Sequence, residues 1–222
     1  MSRLLISASL IAALTTSVFA QQQRFAQPPP SSGDVAVPAG ARADMPRMYE
    51  ERVILDRATV RAKLAEARAS NLARFRAYQM AGVFPSNTFD ARKLNVWRDA
   101  DGHLCAAATI INGTGMTDLV KRVADQNNFI RLADVKQGPL MDWILMSGFT
   151  QDEISAIQEP YMPVYREQPV VEPDLKSAEN TRLIKKYKQV DAMIVKNQKK
   201  SLELAVDRLM KHQDLAWKLV NG

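Results

Sequence analysis

The chain has 222 residues and a formal net charge of +6, with 30 Lys and Arg against 24 Asp and Glu, one cysteine and two histidines. That length supports one ordinary core but leaves two full domains small, and a single cysteine excludes an internal disulfide framework. Two histidines and one cysteine without ligand spacing make no zinc site, so neither a metal nor another cofactor is expected.

Residues 1–20 carry Arg3, an apolar run from Leu4 to Leu14, and Val18-Phe19-Ala20 with small residues where a signal peptidase cuts. They read as a cleavable secretory signal peptide, which places the mature chain outside the cytosol, secreted or periplasmic, from near Gln21. The run is shorter than the roughly 20 apolar residues of a bilayer span. No later segment is apolar enough to cross a membrane. Residues 21–46, with Pro28-Pro29-Pro30, Ser31-Ser32-Gly33 and few large apolar side chains, have the composition of a flexible Pro/Gln-rich tether.

From 47 to 81 nothing interrupts a helix, and Ala, Leu, Arg and Glu dominate. At 100° per residue Val53, Val60, Leu64, Ala67, Phe75 and Tyr78 fall on one stripe, predicting a long basic amphipathic helix that Gly82 ends. Residues 82–163 are expected to form a small α+β domain. Its first part, Leu94 to Ile111, flanks the turn signal Asp99-Ala100-Asp101-Gly102 and predicts a β-hairpin. Three short helices follow: one over Thr117 to Asn128, one starting near Pro139, and one opened by Thr150-Gln151-Asp152-Glu153, whose spacing matches a capping box.

Residues 164–176 read as an extended linker, and 177–222 as a long basic C-terminal helix. Leu183, Tyr187, Val190 and Ile194 form a narrow apolar stripe there, which resumes displaced through Leu202, Ala205 and Leu209. Either the helix bends near Asn197 to Ser201 or its halves pack on different neighbours. The expected fold class is therefore α+β, mostly α, with two long amphipathic helices and a small domain containing one β-hairpin and short helices.

The charge is segregated. Residues 47–81 hold eight basic and four acidic side chains, 82–160 seven and ten, and 176–222 eleven and five. Lys185, Lys186, Lys188, Lys199 and Lys200 are the candidate partner-binding residues, toward an envelope protein, an anionic lipid surface or an acidic polysaccharide. A plain solvated face explains the same lysines. Nucleic acid is not expected, because no base-reading motif accompanies them and the chain is exported. Oligomeric state is not legible.

Catalytic signals are weak. His103 and Cys105, two apart on the predicted strand, would point the same way, but a catalytic cysteine is usually activated by a histidine distant in sequence. Burial as a small hydrophobe is the simpler reading of Cys105. Asp99 and Asp101 resemble part of a calcium loop, yet the glutamate position such a loop needs is Ala108. Asp142, Glu153 and Glu159 are scattered carboxylates without a pairing motif. Asn112-Gly113-Thr114 fits the glycosylation pattern. Trp97, Phe129 and Trp143 suggest an apolar groove, or simply core. The expected function is an exported, non-catalytic binding or structural protein that contacts an acidic partner through basic helices. A hydrolase-type enzyme with its site in 82–163, or a periplasmic holdase, are the alternatives.

Overall fold

The computed structural model describes residues 55–222. The expected signal peptide over 1–20, the tether over 21–46 and the first residues of the predicted 47–81 helix lie outside the described residues. Helix α1 runs Arg57–Ala81; the Asp56 carboxylate caps it by accepting from the Thr59 amide. Gly82 ends it at φ 65°, a left-handed conformation in which glycine carries no steric penalty. Its buried residues are Val60, Leu64, Arg68, Asn71, Phe75 and Tyr78, a single stripe with two polar members in its middle.

The β-hairpin expected over 94–111 does not form, and the α+β fold class is overturned: the described residues contain eight α-helices and only isolated bridges, with no strand or sheet. The turn itself is present. Gly102 donates its amide to Asp99 O, Asp99 donates to His103 O, and Arg98 bridges Leu104. The second arm then winds into α2 (Ala106–Asn112) with Cys105 at its N-cap. Three successive alanines after Cys105 favour a helix over a strand, because alanine heads the helix scale and is depleted from sheets. The first arm pairs elsewhere: Leu94 exchanges both backbone hydrogen bonds with Tyr161.

The short helices follow as α3 (Thr117–Asn127), a 3-10 turn at Leu132–Asp134, α4 (Pro139–Met146) and α5 (Gln151–Ile157). The capping box of α5 is complete, with the Thr150 hydroxyl accepting from the Glu153 amide and the Glu153 carboxylate accepting from the Thr150 amide. The 177–222 segment is three helices rather than one: α6 (Pro173–Lys196), α7 (Gln198–Leu209) and α8 (Gln213–Asn221). α6 starts before the expected linker ends because Pro173 occupies its first turn, where a proline costs no intrahelical hydrogen bond.

The break at Asn197 separates two apolar clusters. The first gathers Phe75 and Tyr78 of α1, the Phe84 to Ile157 elements and Leu183, Tyr187, Val190 and Ile194 of α6. Residues 82–163 thus share their core with both flanking helices. Inside it the hydroxyl of Tyr161 lies 3.3 Å from that of Tyr78 and 3.2 Å from that of Tyr187, so these buried phenols satisfy one another. The second cluster joins Val60 and Leu64 of α1 to Leu145, Leu202, Val206, Leu209 and Ala216.

A buried polar waist lies between them. Arg68 makes a two-pronged pair with Glu153, at 2.8 and 2.7 Å, and also donates to Gly148 O and Ile194 O. The Ile194 carbonyl is available because the helix is interrupted at Asn197, and Arg68 takes the place of the missing amide. Asn71 donates to Ser147 O in the same layer. Gly148, at φ 76°, lets the α4–α5 turn touch α1, where a Cβ would collide with Leu64 O and the Arg68 backbone.

Candidate functional site

Around the Asp99 turn the structure separates the two residues that the sequence brought together. Asp99 Oδ1 accepts from the amides of Asp101 and His103, and Oδ2 accepts from the Ser86 amide and lies 3.1 Å from His103 Nδ1. Asp99, Asp101 and His103 have ligand atoms within 4.8 Å of one another. The carboxylate at the centre of that trio already spends its acceptor directions on the turn, so the arrangement is a tied loop.

Cys105 points the other way, fully buried, with Sγ accepting from the Ala108 amide at 3.4 Å. Burial pushes its thiol up to about 12, which leaves no thiolate at neutral pH. His103 and Cys105 form no nucleophile–base pair.

Trp97 and Trp143 are core residues, each with its indole N–H satisfied, by Val120 O and by the Thr114 hydroxyl respectively. Phe129 stays at the surface, edge-on to Phe89 at 5.3 Å. The three do not line one groove. Two of the scattered carboxylates are occupied: Glu153 by Arg68, and Glu159 by Lys93 at 2.7 Å and Arg182 at 2.8 Å. Burial pushes the Glu159 carboxyl up, but hydrogen bonds from Lys93 and Arg182 outweigh it and hold it below its usual value. Asn112 ends α2 at the surface, while the Thr114 hydroxyl of its glycosylation pattern donates to Ile111 O.

The basic residues give a coherent surface. Lys185, Lys188, Lys196, Lys199 and Lys200 are exposed and reach no carboxylate among the described residues. Lys186 departs from the group, leaning toward Glu159 at 3.8 Å. On α6 the buried stripe is Leu183, Tyr187, Val190 and Ile194. At 100° per residue, Lys185, Lys188 and Ala192 lie on roughly the opposite side. Ile184 and Val195 join that outer face as exposed apolar side chains, and Thr181, Ile184, Lys185, Lys188, Gln189 and Ala192 line a shallow trough of ≈ 520 Å³.

Sequence reasoning singled out Lys185, Lys188, Lys199 and Lys200 and missed Lys196, Ile184 and Val195. The same helical step that places the buried stripe also places these three. No family model, curated protein or solved structure matches the chain.

Proposed function

We propose that this is an exported, non-catalytic binding protein that engages an acidic partner through the outer face of α6 and the first turn of α7. The observation that carries this reading is that, among the described residues, Lys185, Lys188 and Lys196 lie exposed and without carboxylate partners on the side of α6 away from its buried stripe, with Lys199 and Lys200 likewise exposed and unpaired in the first turn of α7. Attraction of this kind acts at a distance and weakens as salt rises.

The test compares the native chain with Lys185→Glu/Lys188→Glu/Lys199→Glu for retention on anionic vesicles, an acidic polysaccharide and an envelope extract, at low and moderate salt. The native chain is retained by at least one of them at low salt, and the charge reversal removes that retention. Equal behaviour of the two proteins, or no retention of either, overturns the reading. Export is checked separately, by N-terminal sequencing of the protein recovered outside the cytosol, with a start near Gln21 expected.

A further inference from the structure

We infer that the acidic partner is the headgroup layer of an anionic phospholipid bilayer, against which α6 lies with its axis in the membrane plane. This inference rests on the binding face proposed above and narrows its occupant to one class.

The shape of the face favours a layer over a pocketed ligand. From Thr181 to Lys196 the outer stripe of α6 runs about 22 Å along the helix at 1.5 Å per residue. The trough along it is shallow and open to one side. An extended row of charges along an open face matches a planar array of phosphates better than a compact anion.

Composition along the stripe points the same way. Ile184, Ala192 and Val195 interleave with Lys185, Lys188, Lys196 and Lys199, and Ile184 and Val195 are 36% and 46% exposed. A headgroup layer satisfies both kinds of side chain: phosphates meet the ammonium groups, and the acyl boundary beneath meets the short apolar groups. Lysine suits this because its long stem lies along apolar material while its head stays hydrated.

The division of labour between the two basic residue types is a third observation. Among the described residues nine of twelve arginines pair with carboxylates of the same chain, whereas only three of thirteen lysines do. The planar guanidinium fork, which matches carboxylate and phosphate geometry, is thus spent on the fold. What faces outward is a set of mobile point charges, suited to a fluid surface whose anions rearrange. No described helix is long and apolar enough to cross a membrane, so the contact is peripheral.

Each lysine near an anionic surface changes partitioning about fivefold. Binding built this way is reversible and salt-sensitive. The full-length mature chain is therefore incubated with vesicles containing phosphatidylglycerol, with vesicles of phosphatidylcholine alone, and with soluble dextran sulfate, and separated by flotation or gel filtration. A Val195→Cys protein carrying an environment-sensitive dye reports insertion, since buried Cys105 stays unlabelled in the native fold.

Salt-sensitive binding to the phosphatidylglycerol vesicles alone among the lipids, weakened about 25-fold by the two-charge change of Lys188→Glu and accompanied by a blue shift of the dye, is the expected result. Val195→Ser, which removes the apolar contact without changing the charge, weakens vesicle binding without changing retention by dextran sulfate. Binding to dextran sulfate without binding to phosphatidylglycerol vesicles overturns the lipid inference and leaves the acidic-partner reading standing. Binding to neither overturns both. Vesicle binding that ignores Lys188→Glu and Val195→Ser also overturns the inference, because some other surface is then responsible.

Discussion

Arg68 shows how much of this fold rests on a few polar side chains. Its guanidinium satisfies Glu153, Gly148 O and Ile194 O at once, in a fully enclosed layer. Arg68→Ala leaves an uncompensated buried carboxylate, a loss of about 3–5 kcal/mol that urea melts will register. The residue was legible in principle: Val60, Leu64, Phe75 and Tyr78 leave helical positions 68 and 71 inside the stripe. A pattern sought in apolar residues alone passes over them, and Glu153, 85 residues away, is brought to Arg68 only by the fold. Glu159 contributes differently. Its folded value lies below the ordinary 4.5, so its stabilisation is present above that pH and is lost as pH falls through the lowered value. Stability of the native chain should fall more steeply below pH 4.5 than that of Glu159→Gln, measured by denaturant melts across the acid range. Cys105 supplies a third expectation: a thiol reagent labels it only at the rate of opening, and Cys105→Ser keeps the native fold because serine also caps helices.

Among the elements, those with local signals were legible. The capping box of α5 lies wholly within Thr150 to Glu153, and Thr150→Ala should cost about 1 kcal/mol in a thermal melt, with Thr150→Ser largely sparing it. The Asp99 to Gly102 turn was equally local, and it is there. What followed the turn was not legible from alternation, because Leu104 to Ala108 is apolar throughout and fits a buried strand or a buried helix. Alanine propensity and the Cys105 cap decided it. The shift in apolar phase past Asn197 was visible, and the structure gives the cause: α6 and α7 pack into different clusters, so no straight helix could bury both stripes. Far-UV circular dichroism should accordingly show a strong helical spectrum.

At the scale of the whole molecule, the charge segregation counted along the sequence becomes a surface. Arginines from several elements are consumed in pairing, and exposed lysines without carboxylate partners among the described residues gather on the outer face of α6 and the first turn of α7. The sequence could show the excess but not its location, since Lys185 and Lys186 are neighbours in the chain and have different surroundings in the fold. The waist through Arg68 has a further consequence, for cooperativity. Two apolar masses that share α1 and α4 are tied across the layer between them by the Arg68–Glu153 pair, which helps them melt together. In Arg68→Ala the denaturation curve should therefore broaden, with a smaller denaturant slope, as α7 and α8 release their side of α1 before the larger cluster opens. A single transition in the native chain, against a broadened one in Arg68→Ala, is the expected mark of a salt bridge at the junction of two oily halves.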